Sequence, residues 1–140
     1  MSGAGPVGSD GSPLLAAGVA HRVPSVGRDK TLREVSEQLA GEPCGALLVD
    51  DPGEPIRVVA LRDVTAAIAA GADPDALTVG QIDLIERPYI RAADEVDEVA
   101  EAMVRLGADE ALVLDRDGLV GLVSLRDLCH VLAVRSYADT

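Results

Sequence analysis

Aromatic side chains are almost absent from this chain: Tyr89 and Tyr137 are the only two in 140 residues, with no Trp and no Phe. A core must therefore be built from Ala, Val, Leu and Ile, and there is no material for a base-stacking platform. Positive charge is also scarce, with 12 Lys and Arg against 24 Asp and Glu and a net charge of −12. That balance argues against DNA, RNA or an acidic membrane surface as a partner. No apolar run approaches the roughly 18 residues of a membrane span, so the chain reads as cytoplasmic. Cys44 and Cys129 stand at no metal-ligand spacing and read as small buried hydrophobes that need no disulfide. His21 and His130 have no Cys or Asp at ligand spacing and read as surface or helix-face residues, so no metal site is nominated. No Ser/His/Asp or Cys/His arrangement supports nucleophilic catalysis, and the chain reads as a non-enzyme.

What is present is 48% hydrophobic residues in a chain the size of one domain or of two small repeats. Residues 1–13 are Gly, Ser, Pro and Ala without periodicity and read as a disordered leader. Leu14 to Val19 can form a short helix ending before Pro24. From there a repeat is visible. Pro24-Ser25-Val26 matches Pro88-Tyr89-Ile90, an offset of 88 − 24 = 64 residues. At the same offset Glu34-Val35 falls on Glu98-Val99, Leu48-Val49 on Leu112-Val113, and Leu61-Arg62-Asp63 on Leu125-Arg126-Asp127, with no gap.

Each copy reads as strand, helix, strand, strand, helix. A short strand (Val23 to Val26; Tyr89 to Arg91) precedes a helix with one apolar stripe, Leu32, Val35 and Leu39 in the first copy and Val96, Val99, Met103 and Leu106 in the second. Thr31-Leu32-Arg33-Glu34 is a capping box; in the second copy Glu95 stands where Thr31 does, leaving Asp94 as the candidate cap. The apolar runs Gly45 to Val49 and Ala111 to Leu114 are of strand length, and an Asp/Gly-containing turn leads from each to a return strand. Asp115-Arg116-Asp117-Gly118 has the flavour of a calcium loop but lacks the remaining ligands, so it reads as a hairpin turn. Final helices start at Leu61 and Leu125.

The second of these junctions carries the main functional clue. Gly121-Leu122-Val123-Ser124-Leu125-Arg126-Asp127 is a strand that stops at a hydroxyl and passes directly into a helix. A helix start presents backbone N–H groups and partial positive charge to an anion. Ser-x-x-Asp at that position is also close to a capping box, and capping alone would account for both residues. In the first copy Arg57 replaces the Gly and Ala60 the Ser, while Asp63 remains.

The duplication, the motif and the length together resemble a tandem pair of CBS domains, or Bateman module, over about Leu14 to Val134. The resemblance implies an α/β (α+β) fold of two CBS repeats, residues 14–77 and 78–135 with a tail at 136–140, packed pseudo-symmetrically through their small sheets. It implies a regulatory module that senses an adenosine-containing molecule in the cleft of the second repeat and modulates another protein. AMP, ADP, ATP and S-adenosylmethionine are the ligands it suggests, with no resident cofactor. By position Asp127 is the ribose acceptor and Ser124 the phosphate-side hydroxyl, with Gly121 permitting close backbone approach. Tyr89, Ile90, Ala108 and Glu110 would border the base. Asp109 and Glu110 either form a solvated surface pair or place negative charge at the site, offset only by Arg126, Arg87 or Arg91. The first site, with Arg57, Ala60 and Asp63, is expected to be weak or dead. A homodimer is implied, with Val131, Leu132 and Val134 as a candidate contact face, and an effector protein whose identity the residues do not reveal. The rival reading is a ligand-free interaction module whose clefts are filled by side chains.

Overall fold

The structure, a computed structural model, describes residues 13–138, and only the backbone of Leu132 and of residues 134–138. The expected leader, apart from Pro13, and the side chains of Leu132 and Val134 lie outside the described residues. The elements in chain order are α1 (Ala16–Val19), β1 (Ser25–Gly27), α2 (Leu32–Ala40), β2 (Ala46–Asp50), β3 (Arg57–Ala60) and α3 (Leu61–Ala69). A 3₁₀ turn (Val79–Gln81) is followed by β4 (Tyr89–Arg91), α4 (Val96–Leu106), β5 (Glu110–Asp115), β6 (Gly118–Ser124) and α5 (Leu125–Ala138).

Two three-stranded sheets form, ordered β1-β2-β3 and β4-β5-β6. In each, the first pair is parallel and joined through a helix, and the second is an antiparallel hairpin. The register repeats along with the sequence. Ser25 pairs with Leu48 as Tyr89 does with Leu112, and Ala46 pairs with Ala60 as Glu110 does with Ser124. Every one of these positions shifts by 64, so the duplicated sequence specifies a duplicated sheet.

The chain divides into two compact units. One is Val23–Glu86; the other joins the segment up to Arg22 with the residues from Arg87 onward. The first is built on Val26, Val35, Leu39, Leu47, Val59 and Val64 with Val79 from the 3₁₀ turn. The second is built on Ile90, Val96, Val99, Met103, Val113 and Val123, and it includes Ala16 and Val19 of α1. The segment that precedes the first strand is thus bound to the second copy. Ala16 and Ala17 N–H donate to the carbonyls of Asp94 and Ala92 (2.8 and 3.1 Å), and Val96 N–H donates to Leu14 O (3.0 Å).

Thr31 caps α2 as expected: its Oγ1 accepts from Glu34 N–H at 3.2 Å, and Glu34 Oε1 accepts from Thr31 N–H at 3.1 Å. Asp94 does not cap α4. Its carboxylate accepts from Arg91 N–H (3.0 Å) and closes the preceding turn, while Glu95 is the N-cap: its N–H donates to Glu98 Oε1 (3.3 Å) and its own side chain makes no capping bond. Leu106 leaves the expected stripe and is 59% exposed, because it stands on the last turn where Gly107 ends the helix in the left-handed conformation. Cys129 is exposed and Cys44 only half-buried, so neither is the core residue expected; no disulfide joins them. Val131, expected on an outer face, packs half-buried against the second core. Asp115 to Gly118 is a hairpin turn, with Asp115 Oδ1 accepting from Asp117 N–H at 2.8 Å. Among the described residues no helix is long and apolar enough to cross a membrane.

Candidate functional site

At the second junction β6 ends on Ser124 and α5 begins on the next residue. Asp127, one turn into the helix, folds back onto the junction. Its Oδ2 accepts from Ser124 N–H at 2.9 Å and from Ser124 Oγ at 2.7 Å, and Ser124 Oγ lies 3.1 Å from Asp127 N–H. The first helical N–H, that of Leu125, donates to Asp109 O at 3.0 Å. Two of the early N–H groups that the sequence offers to an anion are thus answered inside the protein.

The other carboxylate oxygen points outward and meets His21. Nε2 of His21 lies 2.6 Å from Asp127 Oδ1. A carboxylate has only lone pairs, so Nε2 carries the proton and donates a short, charge-assisted bond. The His21 main chain is anchored to β6: its N–H donates to Leu122 O (2.7 Å) and its carbonyl accepts from Leu122 N–H (2.8 Å). This is possible because residue 121 is glycine. A Cβ there would stand 2.4 Å from His21 O, inside any permitted contact. The bare Cα that the sequence reading kept for a ligand is therefore covered by the protein's own backbone.

Beside this junction, across the sheet from Ser124, Glu110 begins β5. Arg87 Nε and Nη2 lie 3.0 and 2.9 Å from Glu110 Oε1, with the two side chains 5% and 11% exposed. Glu110 is thus not a solvated surface carboxylate. Its charge is neutralised by Arg87, one of the cations considered for that role.

The first junction keeps the frame and loses the chemistry. Asp63 Oδ2 accepts from Ala60 N–H at 2.8 Å, the counterpart of the Ser124–Asp127 bond, and Ala60 has no hydroxyl to add to it. Asp63 Oδ1 accepts from the main-chain N–H of Ile85 at 2.9 Å. Ile85 stands 64 residues after His21 (85 − 21 = 64). The same oxygen is thus held by a backbone group in one copy and by a side chain in the other. Asp63 is buried at 2% exposure. Arg57 lies along β3 and turns to Asp51 (Nη2 to Oδ2, 3.1 Å), which Arg28 also contacts.

A family model described as "CBS domain" matches residues 17–70 and 79–134. The chain belongs to the CBS domain family. Among solved structures, a putative signal-transduction protein with CBS domains from Burkholderia ambifaria is similar at 22% identity, covering 82% of this chain and 85% of that one, with a TM-score of 0.71. A CBS domain-containing protein of unknown function from Kribbella flavida is similar at 22% identity, covering 86% and 98%, with a TM-score of 0.64. The hexameric CBS-CP12 protein from bloom-forming cyanobacteria is similar at 20% identity, covering 84% and 71%, with a TM-score of 0.74. A search of curated proteins gives no significant match. CBS pairs are generally regulatory and often bind ligands.

Within the second CBS repeat the structure brings Ser124, Asp127 and Glu110 to the paired strand ends and helix start, while Gly121 lies in the middle of β6, opposite Val113. Tyr89 begins the neighbouring strand and is 54% exposed, whereas Ile90, the next residue, is committed to the core. Ala108 is half-buried and also packs on that core, and Arg126 is exposed on the first turn of α5. His21 and Arg87 join this site through contacts that local sequence spacing does not show. The repeat itself held a clue to His21, since Ile85 marks the same position in the other copy. Ser124 and His21 approach different oxygens of Asp127, so the imidazole is not placed to take the hydroxyl proton as a catalytic triad requires.

Proposed function

We propose that this CBS pair is a regulatory module that binds an adenosine-containing small molecule at the second repeat, with Asp127 receiving the ribose hydroxyls and Ser124 facing phosphate. The observation that carries the reading is the contrast between the two motif carboxylates. Asp63 is sealed, its outer oxygen held by a main-chain N–H, whereas the outer oxygen of Asp127 is held by a side chain that is itself 56% exposed. A carboxylate partnered this way can exchange one donor for another. Neutralisation of Glu110 by Arg87 leaves the region less hostile to a phosphate than the acidic composition suggests.

A second reading has a specific observation in its favour. Both motif carboxylates are already satisfied within the protein, as a ligand-free interaction module would have them. Calorimetry and thermal shift with AMP, ADP, ATP, S-adenosylmethionine and NAD separate the two. A site at a hundredfold saturation adds roughly 2.7 kcal/mol of stability, and no shift with any of the five would sink the nucleotide reading. Asp127→Asn is expected to abolish binding and Asp63→Asn to leave it nearly unchanged; equal losses would refute the asymmetry.

The output passes through another protein, and the module acts in the cytoplasm as a homodimer. Support for self-association comes from α3, whose Leu61 and Ile68 are 55% and 46% exposed and stand two turns apart on one face. Light scattering on the full chain decides it, and a monomer at high concentration would remove this part of the reading.

A further inference from the structure

We propose that His21 is an intramolecular latch on the ligand site: its imidazole occupies the lone pairs of Asp127 that a ribose needs, and a ligand enters by displacing it. The inference rests on the adenosine reading of that site and adds its regulation.

The argument is one of valence. A carboxylate offers about four lone-pair positions. Oδ2 of Asp127 already receives two donors, Ser124 N–H and Oγ–H, both inside the protein. A vicinal diol therefore has only Oδ1 to address, and His21 Nε2–H sits on it at 2.6 Å. With the ring in place, one lone pair at most remains. A diol and His21 cannot both be satisfied.

The surroundings let the ring leave without unfolding anything. The latch is hinged at a fixed point, because two main-chain hydrogen bonds to Leu122 hold the His21 backbone against Gly121. The side chain beyond that point is 56% exposed, so rotation into water sacrifices one hydrogen bond and little packing. The first repeat shows the alternative. There Ile85 N–H holds the equivalent oxygen, and a main-chain donor cannot withdraw without moving the chain. One copy is closed by a lock and the other by a latch.

The consequence is a competition: apparent affinity is the intrinsic affinity reduced by the fraction of time the latch is open. The test is calorimetry with AMP on the full chain and its variants. A latch closed nine-tenths of the time makes His21→Ala bind AMP about tenfold more tightly than the parent. His21→Gln, whose side-chain N–H can still reach a carboxylate, should stay near the parent value. If AMP binds the parent and His21→Ala equally, or binds His21→Ala more weakly, the latch is overturned while the nucleotide site stands. If both variants tighten alike, ring bulk is the obstacle and the hydrogen-bonded latch is equally overturned. If AMP, ADP, ATP, S-adenosylmethionine and NAD all fail to bind both the parent and His21→Ala, the adenosine reading fails, and the latch has nothing to admit and fails with it. Melting curves of all three proteins check that they fold, which the exposure of the ring leads us to expect.

Discussion

The two repeats place residues 64 apart at equivalent points of two sheets, yet the chemistry at those points differs. Val23, Ala46 and Ala60 in the first unit correspond to Arg87, Glu110 and Ser124 in the second (23, 46 and 60, each plus 64). In the first unit Ala46 and Ala60 are buried, apolar partners across the sheet, and the motif carboxylate beneath them is sealed. In the second the same register holds an ion pair and a hydroxyl, and the carboxylate remains partly open, with 16% of its side chain exposed. What both copies retain is the bond from the N-cap N–H to the Asp three residues on. That bond is what the fold requires of the motif. The hydroxyl, the ion pair and the imidazole are additions that the fold manages without in its other half.

The largest expected effect comes from breaking the polar set. Glu110→Ala removes the carboxylate that lies against the buried Arg87 guanidinium and should cost about 3–5 kcal/mol in urea unfolding. The double variant Glu110→Ala, Arg87→Val installs the residue types of the first unit and should recover most of that loss. If the single variant costs less than about 1 kcal/mol, the pair is a solvated contact by the measure of exposed ion pairs, and the contrast between the repeats weakens.

A smaller effect is expected where main chain touches main chain. Gly121→Ala forces a methyl against the His21 carbonyl and should cost about 1–3 kcal/mol. Arg57→Ala, the corresponding position of the first repeat, should cost under about 1 kcal/mol, because its contact to Asp51 is partly exposed and shared with Arg28. Equal costs at the two positions would show that the approach of His21 to Gly121 is not specific to the second unit.

The smallest effects concern the caps. Thr31→Ala should lose about 1 kcal/mol, and Glu95→Thr, which completes the same box on α4, should gain a comparable or smaller amount. The backbone and hydroxyl of Thr31 hold the Glu34 carboxyl below its ordinary value, and Arg33 does the same for Asp75. A carboxyl whose pKa is lowered on folding stabilises the native state above its unfolded pKa. That contribution disappears as pH falls through the lower folded value. A shallow loss of melting temperature below about pH 4, where unfolded carboxyls titrate, should therefore shrink in Thr31→Ala. An unchanged acid slope would show that the backbone N–H of residue 31, which alanine keeps, and not the hydroxyl, holds the Glu34 carboxyl down.

Much of this could be read from the chain because it depends on local order. The strand-helix-strand-strand-helix order and the Thr31 cap follow from spacings within one or two turns or within one hairpin, and the 64-residue offset follows from laying one copy on the other. The motif Asp was also legible, and so was its capping role, which alone accounts for it. Contacts between distant segments were not legible. His21 and Asp127 are 106 residues apart, and the imidazole reaches the carboxylate only because the chain before Pro24 packs on the second unit. Glu110 looked like one more acidic surface residue until the sheet set it beside Arg87. Leu106 followed the apolar pattern and Cys129 the usual burial of its residue type, yet both stand exposed.

The sequence alone determined that there are two copies of one unit, which residues alternate into each sheet, and that the second copy carries the fuller motif. Those facts rest on periodicity and on hydrogen bonds between near neighbours. Only the tertiary structure decided what the motif touches. An Asp at a helix start has oxygens to spare, and its sequence neighbours claim only one of them. The other is claimed by whichever donor the packing brings near: a fixed backbone N–H at Asp63 and an exposed, rotatable imidazole at Asp127.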